Sequence, residues 1–215
     1  DLAWENGVNT LDTAKAYGTS EESIGDYLKQ HSKSSWEIIT KIGKSRYNIV
    51  DQINDSIFNL TIHPYSVLAH SAELFLDEAF QSELKGIKDK GLIKKIGVSL
   101  YNENEINKIL ESSIKPDIIQ LPCNILDNHL YHSGILDELY NKCIEIHARS
   151  VFLQGLFYLN DAEINKRFSR VLPYLKKLKL IAEKCNLNLA ELSLLWLLSL
   201  KEVSKVVIGV DNAKQ

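Results

Sequence analysis

The sequence contains no methionine, only four prolines and only three cysteines. Cys123, Cys143 and Cys185 lie far apart and form neither a C-x-x-C pair nor a metal-binding spacing. An odd number of thiols without a signal peptide implies a reducing compartment, so a cytoplasmic location is expected. The missing initiator methionine, with Asp1 opening in what reads as mid-helix, predicts a piece of a longer natural protein, truncated at both ends. Long apolar runs are lacking too. "LSLLWLLSL", Leu192–Leu200, falls far short of the roughly 20 residues of a membrane span and reads as a buried core helix. Charge of one sign is not concentrated anywhere: 25 basic residues face 28 acidic ones, without blocks or aromatic interleaving. Neither a nucleic-acid nor a membrane partner is therefore expected. The histidines keep no fixed spacing with carboxylates, so no metal site is expected. His129 and His132 fall in "DNHLYH", read as a surface loop, and His147 falls inside a strand. A phosphate-binding P-loop, a G-x-S-x-G elbow and a G-x-G-x-x-G fingerprint are all absent.

What is present is alternation. Strand-length apolar runs, "GVNTLDTA", "WEIITKI", "YSVLAHS", "IKKIGVSL", "PDIIQLPC", "IEIHARSVF" and "KVVIGV", are separated by helical patterns. The first helix, "SEESIGDYLKQ", starts with Ser20 as N-cap and acids in its first turn. "IVDQINDSIFNL" puts Ile49, Ile53, Ile57 and Leu60 on one face. "FLDEAFQSELKGIKDKG" reads as one helix stopped by Gly91. "NENEINKILESS" is a helix that Asn102 or Asn104 caps, "GILDELYNKC" is another, and "QGLFYLNDAEINKRFSR" reads as loop. No Gly- or Pro-rich linker interrupts the series, so residues 1–215 read as a single domain.

Strict strand-then-helix alternation predicts an α/β fold with parallel strands and right-handed crossovers. Two architectures compete, a doubly wound open sheet and a (β/α)8 TIM barrel. The barrel places its functional residues at the C-terminal ends of several strands. Here Asp12, Lys41, His70, Ser99, Gln120, Asn124 and Arg149 all stand at such ends, which favours the barrel. The readable strands fall one short of eight. The missing first strand is expected before Asp1, and the last helix is missing after the final strand.

On a barrel rim Asp12, Tyr17, Lys41 and His70 converge. A free phenol titrates near 10, and a nearby ammonium favours its phenolate. A carboxylate keeps the lysine charged and oriented, and an imidazole hydrogen-bonds a substrate oxygen. Such a set suits protonation of a carbonyl oxygen as charge builds on it. It carries no hydride, which a cofactor must bring.

The stretch "GVNTLDTAKAYGTSEESIGDYL", residues 7–28, resembles the aldo-keto reductase signature D-T-A-x-x-Y-G followed by S-E-x-x-x-G-x-x-L. "ITKIG", "VLAHS", "KKIGVS", "QLPCNIL", "LQGLF" and "VIGV" follow in the family's order. The resemblance implies a catalytic tetrad. Tyr17 is its general acid in reduction, Lys41 lowers the tyrosine's pKa, Asp12 pairs with Lys41, and His70 orients the carbonyl. It also implies an NADP or NAD site across the rim and a small carbonyl substrate. Ser99 and Gln120 match positions that hold the carboxamide. Arg149 stands where many relatives stack a tyrosine under the nicotinamide, and "HARSVFLQG" resembles a bacterial subgroup linked to cell-surface sugars. Ser150, Gly209, Asp211 and Gln215 match the rest of the nucleotide site. "SLYN" places Leu100 where the family's pattern has an asparagine. A carboxylate at Asp211 would repel a 2′-phosphate, so a relaxed or NAD-leaning preference is expected. Trp36, Phe152, Phe157 and Tyr158 are candidate pocket liners. The rival readings are a nucleotide-holding regulatory protein on the same fold and a different barrel chemistry such as phosphosugar isomerisation.

Overall fold

The computed structural model describes residues 2–31, 35–44 and 48–210. Among these, seven strands alternate with helices: β1 Thr10–Asp12, β2 Glu37–Ile42, β3 Ser66–Ala69, β4 Lys95–Ser99, β5 Ile118–Pro122, β6 Glu145–Arg149 and β7 Val203–Val206. The chain divides into two compact units, one mainly Asp1–Ile119 and the other Gln120–Asp211.

In the first unit β1 to β4 pair in parallel and in chain order, with Leu11 opposite Ile38, Lys41 opposite Leu68 and Leu68 opposite Gly97. Parallel neighbours need a long crossover, and the helices supply it. Side chains alternate between the two faces. Ile38 faces the helices Ser20–Gln30 and Ile49–Leu60, packing with Leu28, Trp36 and Leu60. Ile39 faces the other way and packs with Leu68 and Ile118. Glycine is needed twice for space. A Cβ on Gly97 would sit 2.5 Å from the Ile118 carbonyl oxygen, and one on Gly25 would sit 2.0 Å from that of Asn59.

In the second unit β6 pairs β7 in parallel, with a bulge between Ile146 and His147. Phe157, Ile164, Leu175 and Leu189 form its apolar centre, drawn from the helices Asp161–Phe168, Leu172–Lys184 and Leu189–Leu198 and the short turn before them.

Several sequence expectations need correction. Ser20 is the first helical residue rather than the cap; Thr19 precedes the helix and makes no side-chain cap bond. The Ser20 hydroxyl instead accepts from Thr13 Oγ1 at 2.8 Å, tying the helix start to the end of β1. The predicted single helix over 75–91 is two, Ala72–Phe75 and Glu78–Asp89, because Asp77 caps Phe80 N at 2.9 Å. The expected loop holds the helix Asp161–Phe168, started by a capping box of Asn160 and Glu163. The last strand lies earlier than "KVVIGV", since its pairing starts at Val203. The apolar helix Leu189–Leu198 buries one side only, and Leu195 and Leu198 are exposed.

Candidate active site

The first unit brings all four members of the expected tetrad together. Lys41 shares the face of Ile39, away from the helices, because the two are two positions apart on β2. Its side chain is 1% exposed. A buried ammonium must be paired to be tolerated, and Lys41 Nζ donates to Asp12 Oδ1 at 2.5 Å and to the Thr13 carbonyl at 2.8 Å. Asp12 is the last residue of β1, so acid and lysine meet across one strand pair.

Past Asp12 the backbone stays attached to β2. Thr13 N donates to Ile39 O at 2.8 Å and Lys15 N to Lys41 O at 3.0 Å. The chain then turns, with Tyr17 N donating to Ala14 O at 2.9 Å. This turn carries the phenol ring over the lysine: Lys41 Nζ lies 5.1 Å from the ring centroid. Tyr17 is half-exposed. His70 follows β3 on the face of Leu68 and continues the ladder, its N–H donating to Ile42 O at 2.9 Å. Its ring meets Tyr17 edge-on, with centroids 6.1 Å apart. The result is a phenol flanked by an imidazole and an anchored ammonium, an arrangement suited to handing a proton to an oxygen.

The residues expected at the nucleotide are distributed. Ser99 ends β4 in the first unit and is buried. Leu100 is fully buried, and Asn102 spends its side-chain oxygen on a helix cap, accepting from Glu105 N. Gln120, in β5, is buried in the second unit. Arg149 ends β6, half-buried, with Nη1 donating to Ser150 Oγ at 3.3 Å. Gly209 is exposed, and a Cβ there would meet nothing within 4 Å. Asp211 and Gln215 lie outside the described residues.

Two residues outside the expected nucleotide and tetrad set, Asn124 and Ser193, hold the loop after β6. Ser150, Leu153, Gln154 and Gly155 all adopt positive φ, which costs side-chain-bearing residues energy and persists only where surroundings enforce it. Fully buried Asn124 donates to Ser150 O at 3.2 Å while accepting from Leu126 N and Asp127 N. Buried Ser193 donates to Val151 O at 3.1 Å. Asn124 was visible in sequence as a polar strand end; Ser193 gave no signal. Of the candidate liners, Trp36 and Phe157 are core residues. Phe152 and Tyr158 pack edge-on in the loop region, 5.7 Å apart. His129 pairs with Asp127 at 2.6 Å on the surface, and His147 is buried. Burial pushes the Cys123 thiol up to about 12, which makes it inert. Among the described residues no cluster of His, Cys, Asp or Glu is built to hold a metal ion, and no helix is long and apolar enough to cross a membrane.

The sequence model of the Aldo/keto reductase family matches residues 1–215. A curated relative, L-glyceraldehyde 3-phosphate reductase of Escherichia coli O157:H7, is 24% identical, the match covering 99% of this chain and 74% of that protein. The aldo-keto reductase AKR11C1 from Bacillus halodurans, in its holo form, superposes with a TM-score of 0.79 at 22% identity, covering 100% of this chain and 76% of the other. An aldo-keto reductase from Klebsiella pneumoniae, solved in complex with NADPH, gives 0.76 at 16% identity, over 99% and 73%. At such identities the superpositions establish the fold.

Proposed function

The chain belongs to the aldo/keto reductase family, and on that premise we propose that it is an NAD(P)-dependent oxidoreductase that reduces an aldehyde or ketone to the alcohol, with Tyr17 as proton donor. In this reading its seven strands are part of a (β/α)8 barrel. The observation that carries the proposal is the buried Lys41, paired with Asp12, close to the half-exposed Tyr17, with His70 alongside.

Taken one by one, the donor types suit a nicotinamide nucleotide. The Ser99 hydroxyl and the Gln120 amide are each able to donate and accept, as a carboxamide partner must. The Arg149 guanidinium suits a phosphate or a ring face. When bound, the nucleotide supplies the hydride. The chain's own residues manage the proton. His70 hydrogen-bonds the carbonyl oxygen and orients it. Tyr17 gives its phenolic proton to that oxygen as negative charge builds there. Lys41, held in place by Asp12, stabilises the phenolate left behind. In the oxidation direction the same phenolate takes the proton back.

The Klebsiella relative carries NADPH; for this chain Asp211 favours a relaxed or NAD-leaning preference. The curated relative is named for a small phosphorylated aldehyde, so glyceraldehyde and its 3-phosphate are the first substrates to try. Titration with NADPH and then NADH, followed by tryptophan quenching, should saturate and rank the two. Tyr17→Phe should then lower turnover by about 10²-fold or more with the nucleotide dissociation constant unchanged. A folded sample that binds neither nucleotide, or a Tyr17→Phe variant with wild-type turnover, overturns the proposal.

A further inference from the structure

The turn that carries Tyr17 has an anchor outside the tetrad. Glu21 stands in the first turn of the helix Ser20–Gln30 and is 3% exposed. It is one of two buried carboxylates among the described residues, the other being Glu202. A carboxylate taken from water persists only with strong partners. Glu21 has one short hydrogen bond and one longer ionic contact, both to residues beside the tetrad. Its Oε1 accepts from the Thr40 hydroxyl at 2.6 Å, a short charge-assisted bond. Thr40 is the residue before Lys41 and faces the helix side of β2. Glu21 Oε2 lies 4.0 Å from Lys15 Nζ, and that ammonium also reaches Asp55 Oδ2 at 3.5 Å. Lys15 sits between Asp12 and Tyr17, and its backbone N–H donates to Lys41 O.

Tyr17 is half-exposed, and among the described residues its ring meets His70 and Lys41 at 6.1 Å and 5.1 Å. Its place therefore depends on the turn beginning at Ala14, and Lys15 is the member of that turn with a charged tether. We propose that Glu21 is a positioning residue for Tyr17: through Thr40 and Lys15 it clamps the Ala14–Tyr17 turn to β2 and so sets the phenol above Lys41. This rests on the reading of Tyr17 as proton donor. Glu21 touches neither substrate nor nucleotide in it.

The test uses Glu21→Gln, which keeps an acceptor for Thr40 but removes the charge, and Lys15→Met, which removes the ammonium at a quarter-exposed site. Hydrogen exchange of the Lys15 and Tyr17 amides is read alongside kinetics. Both variants should speed exchange at these two amides by about tenfold or more, while amides of β3 stay as in the wild type. Both should lower kcat by about tenfold to a hundredfold, as expected for a misplaced catalytic group, with KM and nucleotide affinity within about twofold. The double variant should fall no further than the worse single one, because both act on one clamp. Unchanged exchange, unchanged kcat or independent, multiplying losses overturn the inference. Tyr17→Phe separates the two claims. If it leaves turnover intact, the proposed function fails whatever the exchange shows; if it abolishes turnover while the Glu21 variant keeps kcat, only the positioning role fails.

Discussion

Replacing a helical glycine by alanine ordinarily stabilises a helix by about 0.5–1 kcal/mol. The first unit offers two such sites with opposite surroundings. At Gly86, within the helix Glu78–Asp89, an added Cβ would meet nothing within 4 Å. At Gly25 it would lie 2.0 Å from Asn59 O, 3.1 Å from Asn59 C and 3.2 Å from Leu60 C. All three are backbone atoms at the end of the helix Ile49–Leu60, so no rotamer change relieves the overlap. The two helices must part, and overpacking of this kind costs about 1–3 kcal/mol. Gly86→Ala should therefore gain stability and Gly25→Ala should lose it, a gap of roughly 1.5–4 kcal/mol. With a urea slope of about 2 kcal/mol/M, the unfolding midpoints differ by roughly 1–2 M. Trp36 packs with Leu28 and Leu60 at this same helix contact, so its fluorescence reports the transition. Equal midpoints for the two variants, or a stabilised Gly25→Ala, would refute the claim that close helix approach is what requires glycine at position 25.

Four further outcomes are expected. Asp12→Asn leaves the Lys41 ammonium buried without its charge partner; removing one member of such a pair costs about 3–5 kcal/mol, so thermal unfolding should shift down and turnover should fall together. Asp117 accepts from Lys88 Nζ at 2.7 Å through both oxygens and from Ile96 N at 2.8 Å; Asp117→Ala should lose about 1–2 kcal/mol in urea unfolding, mostly through the unsatisfied amide, since the ion pair is about a third exposed and screened. At pH 8 a thiol reagent should label Cys143 and Cys185, which are exposed, and reach Cys123 only on unfolding. Because the buried thiol's pKa is raised from 9.0 to about 12, the unfolded chain releases that proton first as pH climbs. The stability contribution is whole below pH 9.0 and drains away up to about 12, so Cys123→Ala should lose less stability across that window than the wild type.

Strands were legible where an apolar run coincided with a partner. "WEIITKI" and β2 nearly coincide because neighbours on both sides pair with it. "KVVIGV" misled because its apolar run outlasts its partner. Pairing starts at Val203, shifts register at the bulge between Ile146 and His147, and continues to where Val207 N donates to Ala148 O. The next three residues are exposed despite two of them being Ile208 and Val210. The helix Asp161–Phe168 carried its own signal, Asn160 with Glu163 three residues on, and Asp77 likewise marked a start inside a continuous helical pattern. The helix Leu189–Leu198 was of another kind. With apolar residues nearly all round, it has no polar stripe to say which side is buried, and only packing chose Leu189, Ala190, Ser193 and Leu197.

The nearness of Asp12, Lys41 and His70, with Tyr17 in the turn after the first strand, was legible for a reason of geometry. In parallel neighbouring strands the C-terminal ends lie on one edge, so polar residues at successive strand ends become neighbours without knowledge of the intervening chain. Glu21 was not legible that way, because its partner Thr40 faces the helix layer and the contact depends on how closely the helix lies. Here Gly25 matters a second time. One turn after Glu21, it lets the helix Ser20–Gln30 settle against the backbone at Asn59. The same helix is held at its start by the Thr13–Ser20 hydroxyl bond. Between these two constraints the Glu21 carboxylate reaches Thr40. The spacing from Asp12 through Tyr17, Ser20 and Glu21 to Gly25 thus has a mechanical sense: a strand end, a turn and a docked helix whose first turn holds the turn before it.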